Sequence, residues 1–118
     1  MKKYILIALV FIGTAAFAQN TNQPKLEAKG DVTLATYFYD NGSVQQEGTF
    51  GKNGKLAGLW TSYDLTGNKL SQGNYDKGIK TGKWFFWTEK ALKEVDYVDS
   101  KIINVNEWNH KSELATNF

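Results

Sequence analysis

Polar and apolar positions divide this chain into three zones. "YILIALVFIG" (Tyr4–Gly13) is an unbroken apolar run. "QNTNQPKLEAKGD" (Gln19–Asp31) is polar, holds the only proline and has no periodicity, so it reads as a flexible lead-in. From Val32 onward aromatics, Thr, Val and Gly dominate, in short strand-like runs broken by turn residues. "TYFYDNGSVQQ" predicts a hairpin, with Asn41-Gly42 as a type I′ turn. A second hairpin is predicted from "LWTSYD" (Leu59–Asp64), the turn "LTGN" and "KLSQGNYD" (Lys69–Asp76). A third reads "KWFFWTEKALKEVDYVD" (Lys83–Asp99), and "KIINVNEW" (Lys101–Trp108) supplies a last strand before a polar tail, 109–118. No helical period interrupts the series. The prediction is an all-β chain of six or seven strands.

The hairpins repeat. Trp60, Trp84 and Trp108 stand 24 residues apart, as do Tyr39, Tyr63 and Trp87, and Gly58 and Gly82 keep the same interval. Between these anchors the turns drift by a residue and compensate. Stacked hairpins behave this way, because the pitch must match the neighbour while loop length is free. The units "YFYDNGSVQQEGTFGKNGKLAGLW" and "SYDLTGNKLSQGNYDKGIKTGKW" resemble the bacterial form of the MORN repeat, found in small exported and antitoxin-labelled chains. The resemblance runs from about Thr36 to Trp108. It implies a single antiparallel meander of about three hairpin repeats, elongated or curled. The third unit lacks the turn Gly, the Gly before its aromatic and the Gly before Trp108, and reads as a degenerate capping repeat.

Gly48 precedes Phe50 by two residues and Gly73 precedes Tyr75 by two. Glycine inside a strand forfeits packing, so it marks a place where something approaches the backbone closely. An aromatic ring of the neighbouring strand is the expected occupant. Alternation puts Trp60 and Tyr63 on opposite faces, which predicts two aromatic files: Trp60, Trp84, Trp108 on one face and Tyr39, Tyr63, Trp87 on the other. Most of these rings are expected to form the core, since a small all-β domain has no larger apolar area to bury. A file left exposed would be a binding surface, for instance for stacked sugar rings.

Charge and composition narrow the partners. Lys2 and Lys3, the apolar run and the small residues Ala16 and Ala18 fit a cleaved export signal, residues 1–18. Export to the periplasm or beyond is therefore expected. The remaining 100 residues carry 12 Lys against 12 Asp and Glu, with no Arg and no Cys. Nucleic-acid binders usually show a basic excess with Arg forks, so nucleic acid is not an expected partner. The loops "GKNGKLAG" and "DKGIKTGK" bring Lys52, Lys55, Lys77, Lys80 and Lys83 towards one edge of the array. They would keep the loops soluble, or form a basic strip for anionic headgroups, acidic glycans or an acidic protein. Lipid binding is among the roles that the MORN resemblance implies.

Chemistry is sparse. The single histidine, His110, lies in the tail, and no nucleophile–base arrangement can be built around it. Asp40 and Asp64 read as turn residues. Neither a metal nor a cofactor is expected. Short exported chains of this kind also carry the label nicotinic acid mononucleotide adenylyltransferase. Such enzymes are α/β proteins with a His-x-Gly-His motif and a phosphate-cradling loop, and this chain has neither. The expectation is a non-enzymatic interaction module that binds a protein or envelope component. A glycan- or lipid-binding module using aromatics or loop lysines is the alternative, and self-association through sheet edges is open to both.

Overall fold

The computed structural model describes residues 22–109. They form eight antiparallel strands: β1 (Lys25–Lys29), β2 (Val32–Phe38), β3 (Val44–Phe50), β4 (Leu56–Tyr63), β5 (Lys69–Asp76), β6 (Ile79–Trp87), β7 (Ala91–Val98) and β8 (Lys101–Asn109). Their order in the sheet is their order in the chain. The meander is open, with β1 and β8 as its two edges. The expected export signal, residues 1–18, and all of the expected tail except Asn109 lie outside the described residues. Within the expected lead-in, β1 adds a strand that the sequence reading did not foresee. Leu26 and Ala28 alternate with Lys25, Glu27 and Lys29, and this short period-2 run pairs along its full length with β2.

The turns follow a stricter rule than the one expected. At Tyr39–Ser43 the Tyr39 carbonyl accepts from Gly42 N–H at 2.9 Å, and Tyr39 N–H donates to Ser43 C=O at 2.9 Å. Only Gly42 takes a positive φ, of 92°. This is a three-residue loop closed by a left-handed glycine, not the type I′ turn predicted at Asn41-Gly42. The Asn41 side chain, not Asp40, caps it by accepting from Ser43 N–H at 2.9 Å. The same construction recurs at Gly51–Lys55 and Asp64–Asn68, where Gly54 and Gly67 take the positive φ. Asp64 behaves as the sequence predicts, accepting from Thr66 N–H and Asn68 N–H. Two-residue loops with both residues left-handed do occur, at Lys77-Gly78 and Asp99-Ser100.

Turns at each end of the strands bind the next hairpin. Tyr39 Oη donates to Tyr63 C=O at 2.6 Å. Gly78 N–H donates to Leu56 C=O at 2.8 Å, and Ser100 N–H to Lys80 C=O at 3.0 Å. These bonds fix the hairpin pitch that the 24-residue spacing encodes.

One face of the sheet carries the core. Ala35, Gly48, Trp60, Gly73, Trp84, Val95 and Val105 form a row straight across it, from paired or contacting positions on β2 to β8. A Cβ built on Gly48 would lie 2.1 Å from the Trp60 ring, and one on Gly73 would lie 1.9 Å from that of Trp84. The indoles therefore rest on bare backbone. Each indole N–H is satisfied by a strand carbonyl, Trp60 Nε1 by Thr49 at 2.9 Å and Trp84 Nε1 by Asn74 at 3.1 Å. Phe50 meets Trp60 edge-on at 5.3 Å between centroids, and Tyr75 meets Trp84 at 5.1 Å. Rings laid flat against a sheet bury themselves without a second layer, which explains how one sheet contains a core.

Candidate functional site: an aromatic patch on the outer face

The opposite face begins as a polar rung: Thr36, Glu47, Thr61, Gln72, Phe85, Glu94 and Asn106, one per strand from β2 to β8. Several of its polar groups pair with one another or with side chains beside the rung. Gln72 Nε2 donates to the buried Thr61 Oγ1 at 2.9 Å. Tyr63 Oη donates to a Glu47 carboxylate oxygen at 2.6 Å, and this bond to an anion is the main reason the phenol is held above its ordinary range. Lys83 Nζ lies 2.6 Å from Glu94 and 2.9 Å from Asp96. These bonds push the Lys83 ammonium up and hold the Asp96 carboxyl down.

One rung further towards the β4–β5 and β6–β7 turns, the outer face turns apolar. Trp87 pairs with Leu92, and Leu92 with Trp108. Phe85 stacks on Trp87 at 6.0 Å between centroids. Lys69 Nζ lies 5.7 Å over the Trp87 ring, a cation–π contact on the side towards β5. Trp108 and Leu70 are exposed. An open cleft of about 600 Å³ adjoins the patch, lined by Asp64, Asn68, Lys69, Leu70, Trp87, Thr88 and Glu89.

The expected files are thus redrawn. Trp60 and Trp84 are 3% and 4% exposed, which removes them from any binding surface. Trp108 does not continue their file; it joins Trp87 on the other face. The cause is register. Residues 58–60 of β4 stand opposite Gly48 alone, and 82–84 of β6 opposite Gly73 alone, each a bulge hinged on a left-handed Gly58 or Gly82. The third unit has no such glycine. Its residues Asn104–Asn109 pair one for one with β7, so Val105 takes the core position and Trp108, three residues on, faces outward. Tyr63 lies on the outer face beside Glu47, while Tyr39 is spent on linking one turn to the next.

The lysine strip is also shorter than expected. Lys83 belongs to the outer-face ion pairs. Lys80 lies on the core face, 5.1 Å over the Trp84 ring and 5.0 Å over that of Tyr97. Lys52, Lys55 and Lys77 remain exposed on neighbouring loops, where Gly78 approaches the Lys55 side chain. Leu70, Leu92 and Trp108 were missed as site residues. The signal for Trp108 was present, since Asn106 stands where Gly58 and Gly82 precede the other two indoles.

Among the described residues no group of three or more His, Asp or Glu converges as a metal site. His110 lies outside the described residues. No family model matches the chain. Neither the curated proteins nor the solved structures contain a match.

Proposed function

We propose that this chain is an exported, non-enzymatic interaction module of the MORN-repeat kind, which binds a protein or envelope component through the outer face of β6–β8. The observation that carries this reading is the division of the aromatics between two faces. The core face uses Trp60 and Trp84 as structure, and the outer face holds Trp87, Leu92 and an exposed Trp108 with no core to build. An apolar group displayed beside polar rungs is the ordinary anatomy of a contact patch, with a desolvated centre and a wet rim. Trp is also the residue most often found to carry binding energy at such centres. Lys69 and the Lys83–Glu94–Asp96 cluster would supply the rim.

Photo-crosslinking from position 108 in the native cell envelope tests the reading. One component recovered repeatedly from position 108, and not from Leu59 nearer the opposite end of the outer face, supports it. Equal recovery from both positions, or none, removes it.

The cleft beside Trp87 favours a second reading, a saccharide ligand. A sugar ring that displaced Lys69 from over the half-buried indole would find the Glu89 carboxylate and the Lys69 ammonium within the same cleft. A change of Trp fluorescence with a glycan, abolished by Trp87→Phe but not by Trp108→Ser, distinguishes this reading from the first.

A further inference from the structure

The core row is unfinished at one end. Val95 on β7 is 5% exposed, while Val105, next to it on β8, is 50% exposed. Every residue of β8 is exposed, including Ile102, Ile103 and Val105. Among the described residues no strand pairs with the outer side of β8, and an edge strand with this much aliphatic surface is a template for another strand. The two edges of the sheet differ in this respect. At the β1 edge the full-length antiparallel self-pairing of Lys25–Lys29 would set Lys25 against Lys29 and Glu27 against its own copy, three like-charge oppositions.

We infer that β8 pairs with β8 of a second copy of this chain, antiparallel, about a two-fold axis through Val105. The register follows from the sequence and from face matching. An antiparallel two-fold perpendicular to the sheet keeps each residue on its own face and must pass through a residue pair. With Val105 on the axis, Val105 meets its own copy, Asn104 meets Asn106 of the second copy, and Glu107 meets Ile103. No two like charges face each other among these pairs. The core row then runs unbroken from Trp84 through Val95 and two valines to the second Val95. The facing amides of Asn104 and Asn106 each offer a donor and an acceptor. Moving the axis to Glu107 would set two carboxylates against each other, and moving it to Asn106 would set Val105 against Glu107. The bulge where Tyr97 pairs with Ile102 lies outside the three central pairs, and it limits how far the join extends.

Pairing through β8 needs no other partner, and it changes how the outer faces are presented. A two-fold perpendicular to the sheet leaves both outer faces pointing the same way, so the two Trp87–Trp108 patches would engage one surface together, with the gain that bivalency brings.

The chain has no cysteine, which makes a clean test possible. The chain is examined by sedimentation over a wide concentration range. Val105→Cys is then oxidised under non-denaturing conditions. Directly paired residues have Cα atoms about 4.5–5.5 Å apart, within disulfide reach. The expected results are a reversible dimer that goes no further, efficient cross-linking through Val105→Cys, and none through Leu26→Cys on β1. Val105→Lys should sediment as a monomer with an unchanged far-ultraviolet dichroism spectrum. A monomer at all concentrations overturns the inference. So does open-ended polymer, which would mean β1-to-β8 pairing, or a dimer that forms only after residues 110–118 are removed, which would mean the chain covers its own edge.

Discussion

The indole of Trp84 lies across Gly73 so closely that a single added carbon on Gly73 would sit 1.9 Å from the ring. Gly73 is also the Cα partner of Trp60 on the other side, so one glycine stands between the two principal rings of the core. Gly73→Ala must therefore push an indole off the sheet or shift a strand. Overpacking a rigid core costs about 1–3 kcal/mol. Gly73→Ala is expected at or above the top of that range, and Gly48→Ala, with one indole over it, lower. Urea melts of the two variants check the order. Adding Trp84→Phe to Gly73→Ala should cost less than the sum of the two single changes, because the smaller ring leaves room for the methyl.

The four tryptophans should divide by reactivity. Trp60 and Trp84 are buried and their N–H groups are taken, whereas Trp108 is exposed. Mild oxidation of folded protein, followed by peptide mass analysis, is expected to modify Trp108 first and Trp87 more slowly. Trp60 and Trp84 should react only after unfolding. Modification of Trp84 at the rate of Trp108 would mean that the core face is open.

Lys77 takes a φ of 52° in the two-residue turn Lys77-Gly78. A side chain in the left-handed region is strained by about 1–2 kcal/mol, least for Asn. Lys77→Asn, which restores the residue such a turn prefers, is expected to raise the melting temperature without altering the fold. A lowered melting temperature would show that the Lys77 side chain makes a contact worth more than the strain.

Stability should depend on acid in a defined direction. Backbone and side-chain hydrogen bonds from Asn68 and Thr66 hold the Asp64 carboxyl below its ordinary range, and the bonds from Lys83 and Asn104 do the same for Asp96. Both bind a proton less readily folded than unfolded. Their contribution is thus complete above the ordinary carboxylate range, near pH 4, and is lost as pH falls through and below it. Lys83, held up, acts at the other limb: its contribution is complete below the ordinary lysine range and is lost as pH rises beyond it. Asp64→Asn should flatten the acid limb of a stability–pH curve and leave the basic limb unchanged.

Much of this architecture was legible in the residues themselves. The all-β meander follows from turn residues set between strand-like runs, and Gly48 and Gly73 announced rings on bare backbone before any ring was placed. Three features were not legible, each for a physical reason. β1 is only five residues long and mostly charged, so its alternation is drowned by the polar segment around it. Asn41-Gly42 carries the composition of a type I′ turn, yet the neighbouring hairpin is satisfied by a three-residue loop in which Gly42 alone is left-handed. Trp108 keeps the sequence interval of its predecessors, but spacing counts residues and a sheet counts pairs. Without the bulges at Gly58 and Gly82, the same interval ends on the opposite face.

On the proposed reading, the outer face at β6–β8 makes the contact and the loop lysines do not. Affinity capture from the native envelope should compare the wild-type chain with two variants of equal melting temperature. One carries Trp108→Ser with Lys69→Glu, and the other carries Lys52→Glu, Lys55→Glu and Lys77→Glu. The first is expected to lose the captured component and the second to keep it. Loss only in the lysine variant would overturn this assignment and move the site to the opposite end of the strands.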